Sequence, residues 1–566
     1  MTDLKADIEA LLREAEAGGQ HAALAARRAA WLAEATDPAT ARAALQLAAR
    51  LEPFEAGPRL TLSRLHAEAG DLEAAQREAE TVLADAVDQA ARARASFILG
   101  ELARARGAPE EARAAYFSVI KIEESLLQAQ RSDPHAARWL ARARGRIAEL
   151  DASAGDLARA RTGAEGALAM LKAVAAQISE TPPVAADIAD AEMRLGALEL
   201  DANQPDSARR RFAQAIGRYE ALILLEPKEP HWRAVLADAW ALAAEADYVR
   251  GEPTQAREAM DKALALRVKL ASADVRERWA LAGLWRVRAA LLAALKDDEG
   301  AAHSLEHARG LAELQCREAP GAEAPARFLV STLLEQCDHA LRIGALPRAK
   351  ESASFARDIA EAFAKAPASE PAWRGDLAAC WDRLGEVARL ARAPAMDAFA
   401  RAAEFRRMHD EAAPSDSTRR ALAASLLKSG DRALDAGENR SAHAAFAEAA
   451  NVRLHRAEAR PGDAAAAYEL AVALERVGIA AAALGDREGA RAAWESELSL
   501  AAQIFADQDS LDAHRFHAII EAHLSSLGGI DAAGFRADAL KRLDNIARAG
   551  ALTERDALLR KRLWTA

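Results

Sequence analysis

The stretch ELAVALERVGIAAAALGDREGARAAWESELSL, residues 469–500, decides the fold. Its apolar residues recur at three- and four-residue spacing on both sides of Gly485-Asp486, the pattern of two amphipathic helices joined by a short turn. Gly485 ends the first helix, because without a Cβ it takes the left-handed conformation without steric penalty. Asp486 caps the second by accepting a hydrogen bond from its free N–H groups. Gly478 stands seven residues before Gly485, Ala490 five after it and Trp494 nine after it.

The same arrangement recurs outward along the chain. EAGDLEAA (68–75), SAGDLARA (153–160) and RGEPTQA (250–256) are breaks of the same kind. Taking the break residue as an anchor gives Thr36, Gly70, Gly107, Gly155, Asn203, Gly251, Lys296, Gly344, Arg392, Gly437 and Gly485, spaced 34, 37, 48, 48, 48, 45, 48, 48, 45 and 48 residues apart. A near-fixed period is the signature of a stacked repeat array. Seven before each anchor stands a small residue: Ala29, Ser63, Gly100, Ala148, Gly196, Ala244, Ala289, Cys337, Gly385, Gly430 and Gly478. Five after it stands Ala in every case but Asp397. Small residues there let two helices approach closely. Trp240, Trp285 and Trp381 lie eleven before an anchor; Tyr116, Phe212, Phe446 and Trp494 lie nine after one.

These offsets resemble the tetratricopeptide repeat: a large and a small residue on the first helix (helix A), Gly-Asp at the turn, then Ala and an aromatic on the second (helix B). Pro53, 17 after Thr36, fits the closing Pro of the 34-residue form. The later units are similar to the long repeat variant of bacterial multidomain proteins, and EPHWR (229–233) and EPAWRGDL (370–377) match its opening. The resemblance implies an all-α, right-handed α-solenoid of about eleven to twelve helix-turn-helix repeats. We expect a capping helix in 1–20, two short repeats in 21–86, nine long repeats in 87–510, and a degenerate repeat with a capping helix in 511–566. The 14 extra residues per long unit lengthen each helix by about 10 Å at 1.5 Å per residue. The Pro-rich breaks SETPPVAAD (179–187), EAPGAEAPAR (318–327) and KAPASEPAW (365–373) read as tight turns inside one array.

Composition agrees with this and excludes other classes. The 566 residues are 51% hydrophobic and only 5% aromatic, so a large sheet is not expected. The net charge of −11 argues against a general nucleic-acid binder. No apolar run is long enough to span a membrane; ELAVALERVGIAAAALG carries Glu475 and Arg476 mid-run. The first residues lack a secretory pattern, so a cytoplasmic location is expected. Cys316, Cys337 and Cys380 form no spaced pair and read as free thiols.

No catalytic constellation emerges, and no metal or cofactor is expected. His303 and His307 share a helix face, but H-S-L-E-H displaces the Glu from the zinc-protease pattern, and the pair reads as surface histidines. His514, His517 and His523 form a looser cluster, and Cys337-Asp338-His339 points in different directions on a helix. The Arg-dense stretches 92–107, 138–146 and 208–212 read as solvated faces with i,i+4 ion pairs.

The reading is therefore a non-enzymatic scaffold or adaptor that binds a protein or peptide on its concave wall. A ligand-responsive regulatory sensor and, more remotely, an enzyme with an inter-repeat site are the alternatives; homo-oligomerisation is left open. In tetratricopeptide arrays the residue after the small helix-A position faces the ligand. Here it reads Glu101, Glu149, Glu245, Asp338, Glu386 and Asp431, six before the anchor in six of the long repeats. Such a row would attract a partner with a basic segment. The competing reading is local ion pairing, Glu101 with Arg104, Asp338 with Arg342 and Glu386 with Arg389, whereas Glu245 and Asp431 have no cation three or four residues on.

Overall fold

The computed structural model describes residues 2–34, 37–130, 133–178, 180–271, 275–365 and 370–565. The chain forms two compact units, Met1–Leu284 and Trp285–Ala566. Helices α1 Thr2–Ala17, α2 Ala22–Ala33, α3 Pro38–Leu51, α4 Ala56–Glu68, α5 Leu72–Asp85, α6 Gln89–Ala105 and α7 Pro109–Ala129 open the first unit. It continues with α8 Pro134–Ser153, α9 Leu157–Ile178, α10 Pro182–Asp201, α11 Pro205–Leu225, α12 Pro230–Val249 and α13 Pro253–Ala271. The division falls within α14 Val275–Ala294. The second unit holds α15 Asp298–Glu318, α16 Glu323–Arg342, α17 Leu346–Ala364, α18 Ala372–Leu390, α19 Met396–Ala412, α20 Asp416–Asp435 and α21 Asn439–Ala459. It closes with α22 Ala464–Ala483, α23 Arg487–Ser499, α24 Ala501–Ile504, α25 Leu511–Ser526, α26 Ala532–Arg548 and α27 Glu554–Thr565. Among the described residues there is no strand. The fold is an all-α solenoid; within each unit successive helices pack on one another, as α8 on α9 and α16 on α17.

The turns follow one rule. Gly70, Gly107, Gly155, Gly251, Gly344, Gly437 and Gly485 all have positive φ, and so do the three non-glycine anchors Asn203 (56°), Lys296 (60°) and Arg392 (56°). The anchor at Thr36 lies outside the described residues. After each described anchor the next N–H reaches back to the carbonyl five residues earlier: Ala108 to Ala103 at 2.9 Å, Asp297 to Leu292 at 2.8 Å, Ala393 to Ala388 at 2.8 Å. That is the Schellman closure, which satisfies carbonyls the helix end leaves free. After every described anchor but Arg392 and Gly437, the next helix is then started in one of two ways. Asp71, Asp156, Asp297 and Asp486 accept from the N–H three residues on. Where that Asp is missing, as before α7 and α11, Pro stands in the first turn, where its absent N–H is not needed.

Helix packing is set by two buried rows. All ten alanines five after an anchor, from Ala41 to Ala490, have 0% exposure. The residues seven before and nine after an anchor are matched in size. A Cβ added to Gly100, Gly196, Gly430 or Gly478 would stand 2.3–2.5 Å from the ring of Tyr116, Phe212, Phe446 or Trp494. Where Ala replaces Gly, the partner shrinks: Ala29 with Leu45, Ala244 with Met260, Ala289 with Leu305. Cys337 goes with Ala353. Interiors are close-packed, so a ring on one helix requires a missing side chain on the other. The repeat at Arg392 departs from the register. Its turn is longer, α19 beginning at Met396, and Gly385 meets Phe399, 14 residues on instead of 16. This explains why Asp397 interrupts the Ala row.

Helix lengths separate the two kinds of unit. Helices α2 to α5 have 12–14 residues, whereas α7 to α12 have 20–22. The core is divided into small clusters, each built from a few successive helices; one joins Phe97, Tyr116, Val119 and Ile147 from α6, α7 and α8. Such a core grows by adding units. The break at EAPGAEAPAR is the tight turn expected, residues 319–322 with Gly321 at φ 82°. Ser179 and residues 366–369 of the other two lie outside the described residues.

Candidate ligand-binding face

The acidic row sits on successive A helices, and the structure engages most of it. Glu101 on α6 accepts from Tyr116 Oη at 2.5 Å, Arg104 at 3.1 Å and Arg146 Nη2 at 3.1 Å. Arg146 on α8 also donates to Glu149 at 2.8 Å, and Glu149 accepts in turn from Arg194 on α10. Arg104, Glu101, Arg146, Glu149 and Arg194 thus form a chain of alternating charge across three repeats. Burial works to raise the Glu101 carboxyl, but Arg146, Tyr116 and Arg104 together hold it below its ordinary value. Burial and the same carboxylate push the Tyr116 hydroxyl up, so it stays a donor.

In the second unit Asp338 accepts two bonds from Arg383, at 2.9 and 3.1 Å, and Asp431 pairs with Arg476 at 3.2 Å. Burial keeps the Asp431 carboxyl above its usual value despite Arg476 and Arg432. Glu386 takes the cation on its own helix, Arg389, at 2.7 Å. Glu245 on α12 is exposed and has no hydrogen-bond or ion-pair partner among the described residues.

Arg146, Arg194, Arg383 and Arg476 share one register: each lies 45 residues after its acid and nine before the next anchor. In the two 45-residue repeats the position nine before the next anchor holds Lys428 after Glu386 and Val287 after Glu245. Sequence reasoning missed these arginines because it considered cations on the same helix only. The expected Asp338–Arg342 pair is not made; Arg342 turns to Asp298 at 3.4 Å. A second set of bridges joins helix B to the following helix A. Arg113 reaches the buried Asp151 at 2.6 Å and Arg209 the buried Asp247 at 3.0 Å.

Several solved structures resemble this chain at low identity. BtubC from P. vanneervenii is 19% identical over 48% of this chain and 93% of that one, with a TM-score of 0.31. RapI in its apo form is 13% identical over 54% and 98%, with a TM-score of 0.38. A tetratricopeptide repeat protein from Parabacteroides merdae is 15% identical over 58% and 99%, with a TM-score of 0.32. No family model matches the chain, and no curated protein matches it. What decides the matter is the repeat itself: a small residue matched to a ring across a left-handed turn, with a fully buried Ala between. The chain folds as an array of helix-turn-helix units that resemble the tetratricopeptide repeat.

The other singled-out residues fall into place around that frame. Arg138 and Arg142 reach Asp187 on the next repeat, and Arg142 also lies 4.3 Å over Trp139. The Arg-dense stretch 138–146 therefore links repeats more than it decorates one helix, which corrects the i,i+4 expectation there. Cys337 and Cys380 are buried, and burial pushes both thiols up to about 12. The C-terminal histidines diverge: His517 meets the Ala513 carbonyl, while His523 stacks on Trp494 and faces Glu475 at 3.6 Å. Among the described residues no group of three or more His, Cys, Asp or Glu is placed to hold a metal ion. No helix, among the described residues, is long and apolar enough to cross a membrane. Glu497 on α23 is a buried carboxyl whose Oε2 has no hydrogen-bond partner. Burial, with Glu475 nearby, pushes its pKa to about 9.

Proposed function

We propose that this chain is a non-catalytic scaffold that binds another protein or peptide along the faces of its A helices, and that the segment it prefers is basic. The observation that carries the proposal is the acidic row itself, repeated at one position in six units and half-exposed or exposed at each. Its paired members are neutralised in part by arginine, so their field is weaker than six free carboxylates would give. Glu245 is the member best placed to take a Lys or Arg without displacing a partner. Asp431, with a single bridge at 3.2 Å, is the next. A partner recovered by co-purification from the native cell would be titrated against the full chain and against Glu245→Lys and Asp431→Lys, over a range of salt. The proposal expects weaker binding and a flatter salt dependence in both variants with folding unchanged. Affinity and salt slope identical to the parent would refute the acidic-face reading; turnover of the partner would refute the scaffold.

A further inference from the structure

His303 and His307 stand one turn apart on α15, both exposed. The spacing alone does not bring their rings together, since each imidazole has several rotamers. In the structure their Nε2 atoms are 3.0 Å apart, and the rings meet edge to face with centroids at 4.5 Å and an interplanar angle of 86°. Trp285 stacks flat on His307, with centroids 4.5 Å apart and planes 16° apart, which holds that ring in place. Two ring nitrogens at this distance share one proton or one cation.

We infer that His303 and His307 form a two-imidazole site for a divalent transition-metal ion of the copper(II) class, with water completing the coordination. Ring nitrogens bind such ions at about 2.0–2.1 Å. Two nitrogens 3.0 Å apart then subtend an angle close to a right angle at the ion, the geometry of tetragonal copper(II) and nickel(II) sites. Each ring must offer Nε2 as a lone pair and keep its proton on Nδ1. Glu306 lies on the same turn but is engaged by Arg348 at 3.2 Å and Gln336 at 3.3 Å. His303 borders an open hollow of about 540 Å³, which gives coordinated water room.

The test uses copper(II) chloride in a non-coordinating buffer with the full chain, read by electron paramagnetic resonance and by tryptophan fluorescence. The unmodified protein should show one tightest site with a two-nitrogen signature. His303→Ala and His307→Ala should each weaken that site by roughly tenfold or more and remove the signature. Both side chains are exposed, so circular dichroism should show the fold intact. Trp285→Phe should keep the two-nitrogen signature and lose most of the metal-dependent quenching. The inference fails if copper binds no more tightly than to free imidazole. It fails equally if the tightest site is untouched in both histidine variants.

Discussion

A Cβ placed on Gly478 would stand 2.3 Å from Nε1 of Trp494, so the indole occupies the space an alanine side chain would need. The same relation joins Gly430 to Phe446, Gly196 to Phe212 and Gly100 to Tyr116. In these four repeats a ring on one helix therefore requires a glycine on the other; where the first position carries a side chain, the second is Leu, Met or Ala.

Replacing Gly478 with Leu should destabilise the chain by roughly 1–3 kcal/mol through overpacking. Trp494→Leu alone should cost about 2–4 kcal/mol by leaving a cavity. The double variant Gly478→Ala with Trp494→Leu copies the Ala289–Leu305 pairing found elsewhere in the chain and should recover much of both losses. Urea unfolding of the parent, Gly478→Ala, Trp494→Leu and the double variant closes the cycle; strictly additive losses would show that the two sites are independent.

Lys296 sits at φ 60° with a side chain that the left-handed region disfavours. Lys296→Gly should therefore raise stability by about 0.5–1 kcal/mol, the relief of strain exceeding the added freedom of the unfolded chain. At Asn203 the gain should be smaller, because Asn tolerates this conformation. Thermal unfolding of both variants decides it: a lower midpoint for Lys296→Gly would contradict the strain argument.

Glu497 gives a pH dependence of definite sign. Its carboxyl titrates near about 9 in the folded chain against an ordinary 4.5, so folding takes up a proton between these values. Its contribution is full below pH about 4.5 and is lost as the pH rises toward 9. Stability should then fall between pH 5 and pH 8 by up to about 1.4 kcal/mol per unit from this group. Glu497→Gln should remove that slope and be more stable than the parent at pH 8. Parallel slopes for the two proteins in urea unfolding would mean that Glu497 is solvated or paired.

The period alone placed anchors at Lys296 and Arg392, where no glycine marks a turn, and both prove left-handed. The small, Ala and aromatic positions were legible for the same reason, since each is a fixed offset within one helix pair. The arginine partners were not. Helical spacing reveals neighbours three and four residues away, whereas Arg146 meets Glu101 and Arg383 meets Asp338 from 45 residues on, across a repeat boundary. The signal was present, because those arginines stand nine before an anchor, but it becomes visible only once contact between successive A helices is known. The Asp397 irregularity was likewise unreadable until the longer turn before Met396 showed that Phe399 had moved into the contact.

The central claim is that stability in this chain is local, each repeat resting on its neighbours. Hydrogen exchange on Gly196→Leu tests it most directly, because a Cβ at Gly196 already stands 2.5 Å from the Phe212 ring. The array predicts loss of protection concentrated in α10 and α11, weaker in α9 and α12, and absent from the distant helices. An even loss of protection over all 566 residues would contradict it.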